Sequence, residues 1–116
     1  MTTPRPWALF AAVALAFLAA GAVGAEPRLF DLTLKDGLLP EGQRLVRVNQ
    51  GDEVTLKWTT NRAFTLHLHG YDLEARLVPQ TPVELRFTAR ATGRFPLEIH
   101  GSGTERTIGH LEVHPR

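Results

Sequence analysis

Cysteine is absent from all 116 residues. That absence removes disulfides, thiol nucleophiles, cysteine-ligated zinc sites and metal–thiolate centres, and with them lipid attachment through a cysteine. Small exported domains often lean on disulfides, so this chain is left with packing, sheet hydrogen bonds or a bound ligand. A dominant charge is missing as well. The formal net charge is +1, from 13 basic and 12 acidic residues, and the two signs are mixed along the chain. Nucleic acid and anionic membrane surfaces are therefore poor candidate partners. No helical stripe, internal repeat or low-complexity segment follows the first 25 residues. Ser102 and Thr104 have histidines nearby, but no nucleophile elbow accompanies them, so the sequence points away from hydrolase chemistry and from an enzyme.

The uninterrupted apolar run, Trp7 to Ala20, is short for a membrane span, which needs about 20 residues. Arg5 precedes it and the small residues Val23-Gly24-Ala25 follow. This three-part pattern predicts a secretory signal peptide over residues 1–25, with a helical apolar part and cleavage after Ala25; retention as an N-terminal anchor is the alternative. Residues 26–116 then form one small domain, periplasmic or secreted, free of the membrane once the signal is gone. Arg5 is the leader's one charged residue, so the remainder carries 12 basic against 12 acidic residues.

What the domain does contain is alternation. Phe30, Leu32 and Leu34 alternate with Asp31, Thr33 and Lys35; Val54, Leu56 and Trp58 with Thr55, Lys57 and Thr59; Val83, Leu85 and Phe87 with Glu84, Arg86 and Thr88. Each is the signature of a half-buried strand. Further strands are expected over Leu45 to Val48, Phe64 to His69, Leu73 to Val78, Phe95 to His100 and Ile108 to Val113. Asp36-Gly37 and Asn49-Gln50-Gly51-Asp52 read as turns, and Gly101 through Arg106 as a loop. Short strands at this spacing predict an all-β Greek-key sandwich of about seven to eight strands. Trp58 and Phe87 belong to its core, Asp52 to its own turn, and Tyr71-Asp72 to the turn after Gly70.

Within Phe64 to Gly70, Leu66 and Leu68 fall on one strand face and His67 and His69 on the other. Two imidazoles at this spacing either share a metal or face solvent together. Leu97 and Ile99 likewise oppose Glu98 and His100.

Val48-Asn49-Gln50-Gly51-Asp52-Glu53-Val54-Thr55-Leu56, His67-Leu68-His69-Gly70, Phe87 through Leu97, and Gly109-His110-Leu111-Glu112-Val113 resemble, in order, segments of the cupredoxin family. The resemblance implies a cupredoxin-like sandwich and a link to copper. It also exposes three departures. Counted from Gly93, the family's metal cysteine falls at about Ile99, its second histidine at Ser102 and its methionine at about Thr107, so the trigonal His-His-Cys site is lost. Leu66 to Gly70 is also similar to the His-x-His-Gly segment of multicopper oxidases, whose other segments are absent here.

In such a sandwich the strand bearing His67 lies antiparallel to the strand bearing His100. The polar sets then converge at one end of the domain, with His67, His69, His100 and Glu98 as candidate ligands for copper, as Cu(II) or Cu(I). His110, near the methionine position, is a candidate axial ligand, and His114 a solvated tail residue. The function expected is an exported copper-handling protein without blue-copper electron transfer. The alternative is a metal-free sandwich that meets a protein partner in the cell envelope.

Overall fold

The computed structural model describes residues 26–101 and 103–116. The leader, with its expected signal helix and cleavage site, lies outside them, as does Ser102. Among the described residues no helix is long and apolar enough to cross a membrane.

Eight strands are described, in chain order β1 (Pro27–Leu34), β2 (Leu45–Asn49), β3 (Glu53–Thr60), β4 (Phe64–Leu68), β5 (Leu73–Leu77), β6 (Val83–Thr88), β7 (Gly93–Gly101) and β8 (Thr104–His114). They form two sheets, one ordered β1-β3-β6 and the other β2-β8-β7-β4-β5. The pairs β1/β3 and β2/β8 are parallel and the rest antiparallel. The expected all-β Greek-key sandwich is therefore the observed one.

The alternation explains the layers. Leu32, Leu34, Leu56 and Trp58 from one sheet meet Leu66, Leu68, Leu97, Ile99 and Leu111 from the other, and all nine are buried. Their odd-even partners, such as Asp31, Thr33 and Thr59, face water. Burying a large aliphatic side chain contributes about 1.5–3 kcal/mol, which is how a domain without disulfides holds its sheets together. Asp36 and Gly37 both have positive φ, 50° and 76°. Lys35 and Leu38 exchange two backbone hydrogen bonds of 2.9 and 3.0 Å across them, the two-residue turn that Asp-Gly favours.

Two boundaries differ from the pattern in the sequence. β1 begins at Pro27 rather than near Phe30, which a proline allows because β1 is a sheet edge. β7 and β8 run on into a hairpin through Gly101 and Thr104, where the sequence reads as a loop. On its β8 side this end carries no core residue. Glu105, Arg106 and Thr107 are exposed and show no apolar alternation.

Asp52 closes the β2–β3 turn and is fully covered. One carboxylate oxygen accepts the Asn49 N–H at 2.9 Å and the other pairs with the Arg116 guanidinium. Burial pushes its pKa up, but the Asn49 N–H and Arg116 outweigh it and hold the group below the usual carboxylate value. A depressed folded pKa means that the unfolded chain binds more protons in acid. The stabilisation is complete above the unfolded carboxylate value, about 3.9, and fades as pH falls through the lower folded one. Asp52→Asn is expected to lose about 1–3 kcal/mol at pH 7, the worth of hydrogen bonds to a charged group. Its deficit should shrink in urea melts at pH 3; a deficit that stays constant with pH would assign the loss to shape alone.

Candidate metal centre

β4 and β7 are neighbours with Leu66 opposite Ile99, Leu68 opposite Leu97, His67 opposite Glu98 and Thr65 opposite His100. The four apolar members point into the core at 0% exposure. Strand alternation then sends His67, Glu98 and His100 to the opposite, outer face of the five-stranded sheet. His69 lies just past the end of β4, with its N–H still bonded to the Pro96 carbonyl at 3.1 Å.

The cluster is tight at one end. The His67 and His69 ring centroids are 4.1 Å apart and the rings tilted by 53°. Nε2 of His69 stands 2.8 Å from Oε2 of Glu98. The same oxygen is 3.9 Å from Nε2 of His100, while Nδ1 of His100 is 3.7 Å from Oε1 of Glu105. Glu98, at 23%, is less exposed than His69 or His100, each at 41%. Contact with His69 lowers its pKa most; burial opposes this, and the charges of His69, His100 and His67 add to the lowering. Glu98 is thus a carboxylate at neutral pH.

His67, His69, Glu98 and His100 are therefore brought together as the sequence suggests, but on the outer face of a sheet rather than at one end of the sandwich. The reason is the pleat itself: residues alternating with core leucines on a two-layer sheet have only the outer face available. His110 is not part of the group. β8 places it opposite Pro96 and Leu45, its N–H bonds the Arg44 carbonyl at 2.9 Å, and it lines a separate groove with Glu41, Arg44 and Arg94. His114 pairs with Glu112 at 2.6 Å. Ile99, at the family's cysteine position, is buried in the core, and Thr107, at the methionine position, is exposed. Glu105 is the residue that the sequence reading misses. The hairpin pairs it with His100, and the neighbouring Gly101 and Gly103 are the turn signal that points to it.

The donor set suits a cation. Nε2 of His69 is shut off from solvent and has no aligned hydrogen-bond partner among the described residues, although Oε2 of Glu98 stands 2.8 Å away. Two donors on one ion, each at about 2 Å and at right angles, are about 2.8 Å apart, the separation found between these atoms. A ring centroid sits a little more than about 3 Å from an ion held through its nitrogen at about 2 Å. Two rings on one ion therefore lie no more than about 6.5 Å apart. The pair His67 and His69 falls well inside that limit, and His67 and His100, 6.5 Å apart, stand at it.

No family model matches the sequence, and no curated protein sequence matches it. Solved structures do. A heme-copper terminal oxidase dimer, determined by cryo-EM, matches with a TM-score of 0.62 at 14% identity over 75% of this chain and 65% of its own. The blue copper oxidase of Nitrosomonas europaea matches with a TM-score of 0.63 at 24% identity, over 78% of this chain and 40% of its own. The multicopper oxidase mgLAC matches with a TM-score of 0.60 at 22% identity, over 78% and 39%. The chain thus spans just under two thirds of the first and about two fifths of the other two. At these identities the likeness is one of fold.

Proposed function

The domain is cupredoxin-like, and we propose that it is an exported copper-handling protein that binds the ion on the outer face of its five-stranded sheet. The observation that carries this reading is the cross-strand group of His67, His69 and Glu98, with paired imidazoles 4.1 Å apart and a carboxylate oxygen 2.8 Å from the buried Nε2 of His69. Imidazole nitrogen with carboxylate oxygen suits Cu(II), whereas Cu(I) favours sulfur. The chain has no cysteine, and its one methionine is Met1. Bound copper would supply a Lewis-acidic, one-electron centre. The residues themselves set two imidazoles side by side next to a charged oxygen and keep one nitrogen, Nε2 of His69, dry.

In this reading the protein stores or passes on copper and catalyses no reaction. Without a thiolate it lacks the ligand that fast blue-copper electron transfer depends on. The leader would carry it to the periplasm or outside, where an envelope protein is the recipient expected for its cargo.

The test is a Cu(II) titration of the full chain against free histidine as competitor, followed by electron paramagnetic resonance. One tightly held ion with nitrogen hyperfine coupling is expected. His67→Ala/His69→Ala should weaken it by about 100-fold or more, since even the loss of a supporting partner of a metal ligand typically costs 10- to 100-fold. Failure to hold copper against micromolar histidine would overturn the reading and favour a metal-free interaction domain. A thermal melt with and without copper gives an independent answer, because a ligand that binds only the folded chain raises its midpoint.

A further inference from the structure

We propose that two copies of this chain pair with each other through the free edge of β6. Among the described residues β1, β6, β2 and β5 are the sheet edges, each with one side unpaired, and an unpaired strand edge is a template for another strand. The edges differ in how they treat the core. β1 buries Leu32 and Leu34, and β2 buries Val46 and Val48, all at 1–2% exposure. On β6 the core-facing Val83, Leu85 and Phe87 are only half-buried. Yet the residues opposite them on β3, Trp58, Leu56 and Val54, are 0–1% exposed. The apolar layer is therefore left open along this edge. Leu73 of β5 is half-buried too and lines one groove with Tyr71 and Phe87, so β5 and β6 flank the same open side.

Charge complementarity makes the occupant a second copy. Glu84 and Arg86 alternate with the apolar residues of β6 and pair with each other at 2.6 Å on the exposed face. A second β6, laid antiparallel about a two-fold axis at Leu85, sets Glu84 of each copy opposite Arg86 of the other. Val83 then meets Phe87 and Leu85 meets its own copy, with every apolar side chain still facing inward. Each contact occurs twice, as a two-fold interface requires. No proline or register shift lies within the strand to block a neighbour. β2 lacks this property, because overlap of its five residues centres on Arg47 and sets that charge against itself. β5 repeats the pattern with Glu74 and Arg76, but its centre is Ala75 and its Leu77 is already buried, so it has less apolar surface to cover. Pairing through β6 joins two three-stranded sheets into one continuous sheet. It leaves the outer face of the five-stranded sheet open, so it stands or falls independently of the copper reading.

The full chain, without metal, is followed by sedimentation equilibrium as wild type, Glu84→Arg, Arg86→Glu and Glu84→Arg/Arg86→Glu. Wild type is expected to show a monomer–dimer equilibrium. Each single change sets like charges opposite one another twice and should weaken the dimer by about tenfold or more. The double swap restores opposite charges and should return the dimer. Mixing the two single variants should do the same, since their charges complement each other only across copies. Circular dichroism confirms that each variant is folded. Hydrogen exchange on wild type decides the matter should a variant fail to fold: the amides of Val83–Thr88 should exchange more slowly as concentration rises. A monomer at every concentration would overturn the proposal. So would association that the single changes leave intact, a loss that the double swap does not restore, or exchange in β6 that is independent of concentration.

Discussion

Gly70→Ala is expected to destabilise the domain by about 3 kcal/mol and to weaken copper binding along with it. Gly70 has φ +84°, and a Cβ built there falls 2.2 Å from Cδ1 and 2.6 Å from Cε1 of Phe95. The left-handed backbone alone costs an L-residue about 1–2 kcal/mol, and forcing carbon into a packed region adds about 1–3 kcal/mol. Phe95 has no easy retreat. Its ring meets Tyr71 edge-on at 5.0 Å, and Tyr71 in turn packs on Phe87 at 5.0 Å. The Tyr71 hydroxyl donates to the Ala91 carbonyl at 2.7 Å and accepts the Ala91 N–H at 3.1 Å. Burial pushes the Tyr71 pKa up, so it stays a neutral donor. His69 is the residue just before this turn, and any shift in the turn moves its imidazole off Glu98. Urea unfolding measures the first effect and Cu(II) titration the second. Adding Phe95→Leu should recover the steric part of the loss and leave the backbone part. A Gly70→Ala midpoint equal to wild type would show that the turn relaxes freely.

The second large effect lies at Trp58. It sits on β3, the central strand of the three-stranded sheet, between Leu32 and Val83, and is 0% exposed. Trp58→Ala is expected to cost about 3–5 kcal/mol, the range for truncating a buried aromatic residue. Trp58→Phe is the more informative variant. The indole Nε1 is buried with no partner among the described residues, and an unmet buried donor costs about 1–3 kcal/mol. Phenylalanine removes that donor along with part of the ring. Its net loss should fall well below alanine's, because the phenyl ring keeps much of the buried apolar area and the unmet donor is gone. A loss as large as alanine's would mean that the indole's shape, and not its apolar area, fills the site. Denaturant midpoints of the three proteins decide between these.

The parts of the molecule legible in the sequence are those where burial forces alternation. Leu66 and Leu68 announce β4, Leu97 and Ile99 announce β7, and together they place His67, Glu98 and His100 on a common face. Family position adds that the two strands are neighbours. What could not be read is where no burial acts. The β8 arm at the far end of the β7–β8 hairpin carries no core residue, so its polar string reads as a loop, and Glu105 is lost with it. His110 shows the converse limit. It shares a sheet face with the cluster, yet β7 stands between its strand and β4, a separation that only the strand order reveals. The outer-face location follows from the leucines alone and was hidden by the analogy to sites held at the end of a sandwich.

The parallel pairing of β2 with β8 bears on when the chain can fold. Leu45 pairs with His110 and Asn49 with His114, so a strand made early waits for the last one, and the Arg116–Asp52 contact closes the same seam. Contacts this distant in sequence fold slowly, because the closure of a long loop comes before its reward. During synthesis β2 has no sheet partner until β8 has been made. The five-stranded sheet can therefore be completed only after β8 is made, when β1, β3 and β6 of the other sheet already exist.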